Sequence, residues 1–359
     1  MRNAIRIGAV ILISALILAG IIVAVGFEQT AEAVARAGVV SFAAVGGLLV
    51  LSLLVHTIAW AALNRPIGHA VPFLKLLRAS VIGRAGNIVT PSTYLGGEPL
   101  RVLYVGQAGD LPYHEVAGSV LLGKYLEAIS FILFAGITAG IALVRYRASL
   151  FGPNLAVGVL LVVFAIGLLV MGAVLWVSLL RRQKPLTALA GSLSRLPIFP
   201  HRMSRFRVRV RSMEEQAARV FCEEPKVAWR VFGMHVLGHV AIFLKPAVFF
   251  YLGGALVLDI GQLSLLFVVG QILLMVQLMP SGAGILDGGY LGAFALMGLG
   301  DSEHLAQCMA YLLCLRFWDI LMVGSGAFFA SRAGIRLLFS RSPGRGEAPS
   351  PVEGTRDAG

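Results

Sequence analysis

Runs of apolar residues long enough to cross a membrane constrain this chain more than any other feature. The 359 residues are 58% hydrophobic and 13% charged, with a mean hydropathy of +0.85, whereas a soluble domain carries about 25% charged residues. A helix needs about 20 mainly apolar residues to cross the hydrocarbon core. The sequence therefore predicts an all-α, polytopic membrane protein with about six full spans, at 5–25, 38–63, 117–144, 156–180, 231–252 and about 304–330.

The positive charge of the chain is explained by membrane topology. The net charge is +12, from 30 basic and 18 acidic residues, and the basic residues lie mainly between and beyond the apolar spans. This distribution follows the positive-inside rule and favours anionic lipid headgroups, so we exclude nucleic acid as a partner. It predicts a multi-pass protein of the bacterial cytoplasmic (inner) membrane, with both termini and the segments 64–84 and 181–230 on the cytoplasmic side. Arg145 and Arg147 fall on the outer side and violate the rule modestly.

Composition divides the chain into five segments. Residues 1–30 hold an N-terminal transmembrane helix, which we favour over a cleaved signal peptide because the apolar run is long and lacks a clear A-x-A site. Residues 181–230 carry twelve Lys or Arg against four Glu and form a basic cytoplasmic linker. This linker separates a first transmembrane repeat at 38–180 from a second at 231–335. The tail at 336–359 is rich in Pro, Gly and Ser and is predicted to be disordered.

A glycine-rich break that starts with Pro-Ser occurs twice. Each copy carries a carboxylate seven residues after its proline, and each is followed by an apolar helix with a basic and an acidic residue three positions apart. Proline and glycine can together end one half-helix and start another. The first copy comprises Pro91, Ser92, Gly96, Gly97 and Glu98, followed by Lys124 and Glu127; the second comprises Pro280, Ser281, Gly282, Gly284 and Asp287, followed by Arg316 and Asp319.

The predicted topology indicates from which side of the membrane each of the two breaks is reached. If the chain has six spans and its basic segments are cytoplasmic, two further segments cannot cross the membrane fully. These segments, 72–108 and 262–300, must return to the side from which they enter. The first enters from the cytoplasm and the second from the outside. The two halves are therefore predicted to form an inverted-topology repeat with re-entrant or broken helices, an arrangement that places a binding site near the midplane.

The residues of the two copies are the predicted substrate contacts. Backbone amides at the new helix N-termini, together with Ser92 and Ser281, favour a phosphate or carboxylate. The alternative is that Glu98 and Asp287 only cap helices. The intramembrane pairs Lys124/Glu127 and Arg316/Asp319 mark a transport path, or else are neutralised structural pairs. Arg101 could pair with Glu98 or contact a lipid phosphate.

The sequence predicts no catalytic residue, cofactor, disulfide or metal site. His235 and His239 are spaced i,i+4 on an apolar helix, but no third ligand is evident, so buried and hydrogen-bonded histidines are the better interpretation. Ser281 resembles an intramembrane protease nucleophile only faintly, because Met279 stands where glycine is expected and no histidine partner is indicated.

The segment Gly96-Gly97-Glu98-Pro99-Leu100-Arg101 after Pro91-Ser92 resembles the Gly-Gly-acidic-x-x-Arg element of the lysylphosphatidylglycerol synthase transmembrane-region family. The stretch from Pro280 to Gly284 and the later Arg316 resemble its second motif and final helix. The resemblance covers about residues 5–335. Lys124 stands where many members have arginine, and Asp287 where glutamate is frequent. The resemblance implies a flippase-like protein linked to aminoacylated or glycosylated lipids, and without an aminoacyl-transferase domain we expect no lysyl-lipid synthesis by this chain.

A lipid translocase is the function that these features favour. It would move a lipid with a polar headgroup (aminoacylated, glycosylated or isoprenoid-phosphate) across the cytoplasmic membrane. The alternatives are an intramembrane enzyme of lipid modification and a scaffold for a lipid-modifying complex. Expected partners are membrane lipids with an anionic or phosphate-bearing headgroup, together with a lipid-modifying enzyme or a second copy of the chain.

Overall fold

The computed structural model contains α-helices, and no strand occurs among the residues it describes. Those residues are 16, 19–64, 71–90, 96–109, 111, 113–152, 155–181, 183–184, 187–188, 191–192, 208, 211–212, 214–215, 222–254, 256–275, 282 and 284–333. Within them we number eleven helices: α1 Phe27–Asn64, α2 Phe73–Val89, α3 Glu98–Gly109, α4 Tyr113–Arg145, α5 Arg147–Phe151, α6 Leu155–Leu180, α7 Pro225–Phe243, α8 Lys245–Leu252, α9 Ile260–Met275, α10 Ile285–Leu296 and α11 Ser302–Arg332.

Five helical stretches of the described chain are long and apolar enough to cross a membrane. They are Phe27–Asn64, Glu115–Arg145, Gly158–Ser178, Pro225–Leu252 and Ser302–Arg332, and they match five of the six predicted spans. Many large apolar side chains remain exposed on α6, as expected for a face in contact with lipid. The predicted all-α, polytopic membrane fold is confirmed. The sixth predicted span, 5–25, lies largely outside the described residues, of which 19–25 are helical.

Helix α1 begins eleven residues before the predicted span at 38–63. It starts just after Gly26, whose φ is 112°, and it contains a kink at Gly38, with φ 66° and ψ 173°. A positive φ of this kind is readily adopted only by glycine. The predicted boundary at residue 38 therefore coincides with a bend inside a longer helix.

Two pairs of short helices form antiparallel hairpins at the predicted breaks. In the first hairpin, α2 has 17 residues and α3 has 12. Gly83 and Gly86 of α2 lie against Gly97, and a Cβ on Gly97 would be only 1.8 Å from the carbonyl oxygen of Gly83. In the second hairpin, α9 has 16 residues and α10 has 12, and Gly270 faces Tyr290 across the pair. Glycines thus allow both hairpins to close tightly.

Helices α1–α4 of the first half of the chain and helices α7 and α9–α11 of the second half form matching contacts. In this comparison α1 corresponds to α7, α2 to α9, α3 to α10 and α4 to α11. Helix α1 packs against α7, so the first long helices of the two halves are neighbours. The hairpin helix α2 packs against α11, and its counterpart α9 packs against α4. Likewise, α1 contacts α11 while α7 contacts α4. Exchanging the two halves leaves this set of contacts unchanged.

Contacts between helix ends show that the hairpins start at opposite ends of the bundle. The guanidinium of Arg36 lies 3.2 Å from Glu303, and that of Arg145 lies 3.3 Å from Asp259. The Trp60 ring N–H near the end of α1 donates to Ser119 near the start of α4, so these helices are antiparallel. The starts of α11 and α9 therefore lie at one end of the bundle. At the other end of α11, Arg78 of α2 lies over the Phe329 ring, 5.9 Å from its centroid. The first hairpin therefore starts where α11 ends, and the second starts where α11 begins.

Candidate functional site

The carboxylate of Glu98 forms the centre of the first polar cluster. Glu98 is the first residue of α3 and is only 6% exposed. One of its oxygens lies 3.3 Å from the Arg101 guanidinium, and the other lies 3.3 Å from the Lys124 ammonium of α4. Lys124 also lies 3.0 Å from the Glu127 carboxylate. Two cations and two carboxylates are thus joined in one network between the hairpin and α4.

Lys124 lies deep in the bundle. Helix α4 begins at Tyr113, so a rise of 1.5 Å per residue puts Lys124 about 16 Å from the helix start. The ion pair of Lys124 with Glu127 at 3.0 Å is compatible with both interpretations of this pair from the sequence, a transport path and a neutralised structural pair.

The second cluster repeats this arrangement around Asp287 of α10. Asp287 is completely buried. One of its oxygens accepts a hydrogen bond of 2.8 Å from the Gly284 backbone N–H, and the other accepts one of 2.9 Å from Arg316. Arg316 also lies 3.7 Å from Asp319 on its own helix, α11. Asp287 therefore caps α10, the alternative considered from the sequence, and also holds the Arg316 guanidinium.

Both clusters border one cavity of about 220 Å³. The side chains that reach its wall from the predicted set are Arg101, Lys124, Glu127, Arg316 and Asp319. Glu98 and Asp287 are not among the lining residues and lie behind their basic partners. The structure thus brings the two copies of the motif to one site, with bases facing the cavity and two acids holding them in place.

Two further basic residues line the cavity and were missed from the sequence. Arg84 reaches it from α2 and Lys245 from the start of α8. No Asp or Glu oxygen of the described residues lies within 4 Å of either side chain. The sequence could have indicated them, because each is a basic residue in an apolar helical segment. Lys245 is also followed by Pro246, at the kink between α7 and α8.

The predicted helix breaks are present where the structure can be described. Residues 96 and 97 form a turn before α3, and Gly282 and Gly284 have φ values of 66° and 84° before α10. Gly97 has no positive φ and is required instead for the close approach to Gly83. The remaining predicted break and binding residues, Pro91, Ser92, Pro280 and Ser281, lie outside the described residues.

The expectation of free helix N-terminal amides is wrong at two positions. The Gly97 N–H donates to the Asn87 side-chain oxygen over 2.6 Å, and the Gly284 N–H donates to Asp287. Side chains of the protein occupy these two donors because the breaks are tightly folded. Basic side chains rather than these amides are therefore the groups that an anionic ligand could reach.

A group of histidines lies beside the first cluster. His56 of α1, Glu127 of α4 and His235 of α7 each place one ligand-type atom within 4.8 Å of the others. The ring centroid of His56 lies 5.0 Å from that of His235 and 5.6 Å from that of His239. The sequence offered no third partner for the His235/His239 pair because His56 and Glu127 come from distant helices.

Comparison with known proteins confirms the family that the motifs indicated. The family model for the lysylphosphatidylglycerol synthase TM region matches residues 8–324. The chain belongs to this family. Its relatives include a UPF0104 membrane protein of Methanothermobacter thermautotrophicus, 25% identical over 92% of this chain and 98% of the relative. Another, from Pyrococcus horikoshii, is 22% identical over 88% of this chain and 94% of the relative. No solved structure matches the chain significantly.

Proposed function

We propose that this family member is a lipid translocase whose cavity receives an anionic, phosphate-bearing headgroup while the acyl chains stay in the bilayer. The observation that carries the proposal is that the duplicated motifs of both halves contribute basic side chains to one cavity. Arg101 and Lys124 come from the first half, and Arg316 comes from the second. Intramembrane charges are costly and mark substrate paths in many transporters.

The charge of the cavity favours an anion. Five basic side chains line it: Arg84, Arg101, Lys124, Lys245 and Arg316. Four carboxylates contact three of these bases, which leaves an excess of one positive charge at neutral pH. Guanidinium groups bind phosphate oxygens through paired hydrogen bonds. A phosphate between Arg84 and Lys245 would neutralise the two bases that form no ion pair within 4 Å with a carboxylate of the described residues.

The hairpins supply a basis for access from both membrane faces. None of the four hairpin helices reaches the roughly 20 residues that a full span needs, and the hairpins start at opposite ends of the bundle. We infer that both are re-entrant and that the two halves form an inverted-topology repeat. In such repeats, movement of one half against the other opens a central site alternately to each side.

We place the protein in the bacterial inner membrane, with both termini and the basic 181–230 segment in the cytoplasm, because Lys and Arg favour that side. In this orientation the outward-facing Arg145 is paired with Asp259, which reduces the cost of its unusual position. Transport without covalent chemistry is proposed, and the enzyme or second copy that supplies or receives the lipid is a further expectation.

Reconstituted vesicles test the function directly. The full chain is inserted into vesicles that contain phosphatidylglycerol or phosphatidylcholine labelled on an acyl chain, and transbilayer movement is followed by quenching of the outer leaflet. We expect the protein to accelerate movement of the anionic probe more than that of the zwitterionic one. A charged hydrogen bond contributes about 1.5–3 kcal/mol, so Arg84→Gln should slow the anionic probe by about tenfold or more.

A matched control separates the cavity charge from overall charge. Arg145→Gln removes one positive charge from an exposed ion pair outside the cavity and should retain the wild-type rate. Equal rates in protein-free and wild-type vesicles for both probes would contradict the translocase proposal. Equal acceleration of both probes, unchanged in Arg84→Gln, would contradict the anionic substrate.

A further inference from the structure

The cluster of His56, Glu127 and His235 joins three helices beside the cavity, and lipid binding by the basic residues does not account for it. His56 comes from α1, Glu127 from α4 and His235 from α7. One nitrogen or oxygen from each lies within 4.8 Å of the other two. His56 and Glu127 also line the cavity. These are the side-chain types that bind first-row transition metals.

The hydrogen bond of His56 determines which ring nitrogen can bind a cation. Its Nδ1 lies 2.7 Å from the backbone carbonyl oxygen of Ser52. A carbonyl oxygen only accepts, so Nδ1 carries the hydrogen and a neutral ring presents a lone pair at Nε2. That Nε2 lies 4.0 Å from Oε1 of Glu127. Two hydrogen-bond acceptors therefore face each other, of which Oε1 also accepts a hydrogen bond of 3.1 Å from Lys124, and a cation between them would be held by both.

The buried ring of His235 lacks a hydrogen-bond partner among the described residues. It is only 2% exposed, and neither ring nitrogen has a hydrogen-bond partner among the described residues. Burying a polar group without a partner costs about 1–3 kcal/mol. The adjacent turn of α7 contains Gly238, where a Cβ would lie 2.1 Å from the His56 ring. This glycine allows the imidazole of His56 to reach the face of α7 that carries His235.

We propose that His56 Nε2, a Glu127 carboxylate oxygen and one ring nitrogen of His235 bind a divalent transition-metal ion of the Zn²⁺ class. Zinc binds nitrogen and oxygen at about 2.0–2.2 Å, which places tetrahedral ligands about 3.3 Å apart. The separations, which are up to 4.8 Å, must shorten by up to about 1.5 Å to reach this value. The Ser52 carbonyl then acts as the outer partner that orients the His56 ring, as is usual for metal-bound histidines.

The neighbouring charges predict how the affinity can be changed. Lys124 contacts Glu127 and competes with a metal for its oxygens, but it also contacts Glu98 at 3.3 Å and can keep that partner. His239 is engaged elsewhere: the Ser130 hydroxyl donates to the Glu127 carbonyl, so His239 Nε2 at 3.2 Å is the donor to Ser130. Removing the Lys124 charge should therefore strengthen metal binding.

Metal titration of the full chain tests the site without any transport measurement. Protein purified in detergent through a tag without histidine is treated with a chelator and titrated with Co²⁺, whose visible absorption reports the coordination, and then with Zn²⁺ in competition. We expect one equivalent to bind. Because even outer-shell changes cost about 10–100-fold in metal affinity, His235→Gln and His56→Gln should each weaken binding by at least that much. Lys124→Gln should strengthen it.

Matched controls make the result specific. His304→Gln changes a histidine at the start of α11, outside the cluster, and should bind as the wild type does. If His235→Gln fails to fold, His56→Gln on a different helix is compared instead, with the Zn²⁺-dependent rise in the melting temperature of the wild type as a second readout. No stoichiometric binding by the wild type, or equal weakening by His304→Gln, would overturn the metal site and leave the lipid proposal unaffected.

Discussion

At the scale of single residues, Glu98 and Asp287 are ion-pair partners of basic side chains that line the cavity. Both are buried behind the cavity wall, and each holds a basic side chain of the following long helix: Glu98 contacts Lys124, and Asp287 contacts Arg316. A buried guanidinium needs a counter-ion because its desolvation is costly. The acids thus balance the charge of the bases and hold them at the cavity wall.

Asp287→Asn tests this role. The substitution preserves the size of the side chain and an oxygen that can accept from the Gly284 N–H, but it removes the charge opposite Arg316. Breaking a buried ion pair costs about 3–5 kcal/mol, so we expect a clear loss of unfolding free energy. Denaturation of the purified protein in detergent measures it.

The comparison is Asp259→Asn, which breaks the ion pair with Arg145. Both side chains of that pair are substantially exposed, 44% for Asp259 and 60% for Arg145, so the expected loss is below about 1 kcal/mol. Equal losses in the two variants would show that Asp287 does not provide a buried counter-charge.

At the scale of structural elements, the hairpins depend on close backbone contact. Side chains of ordinary size would separate α2 from α3, since the space next to Gly97 is occupied by the backbone of Gly83. The Asn87 side chain adds a hydrogen bond to the Gly97 N–H at the same point. This contact sets the position of Glu98, the next residue, and through it the positions of Arg101 and Lys124.

Gly97→Ala is predicted to disrupt the first hairpin. The added Cβ would lie 1.8 Å from the Gly83 carbonyl oxygen, so the helices must move apart, and overpacking of this kind costs about 1–3 kcal/mol or more. We expect a lower melting temperature and slower movement of the anionic lipid probe. Gly292→Ala in α10 is the control, because no atom lies within 4 Å of its Cβ position. There alanine should stabilise the helix by up to about 1 kcal/mol, and a loss as large as that of Gly97→Ala would contradict the steric explanation.

At the scale of the whole molecule, the two predicted repeats contact each other through their hairpins and long helices. Each hairpin packs on the last long helix of the opposite half, α2 on α11 and α9 on α4. A movement of one half against the other would therefore change both hairpin positions at once. The proposed alternating access requires this coupling and also requires that the two halves have opposite orientations in the membrane.

Cysteine labelling tests that orientation. In a Cys222→Ser background, single cysteines replace Arg36, Arg145 or Arg332, and an impermeant maleimide is added to intact cells or inverted vesicles. Cys308 and Cys314 are buried and should not react. We expect positions 36 and 145 to be labelled from the outside and position 332 from the cytoplasmic side. Labelling of 36 and 145 from different sides would contradict the fold, whereas a complete reversal would contradict only the assigned orientation.

Hydrophobic length and motif order determined the membrane class, the all-α fold and the family from the sequence alone, because these are properties of local segments. The duplicated breaks also indicated where the hairpins lie. Only the tertiary structure decided which side chains share a cavity. Arg84 and Lys245 carry no spacing signal, and His56, Glu127 and His235 belong to separate helices, so their proximity depends on how those helices pack. Burial, likewise a result of packing, made Glu98 and Asp287 supports for the bases that face the cavity.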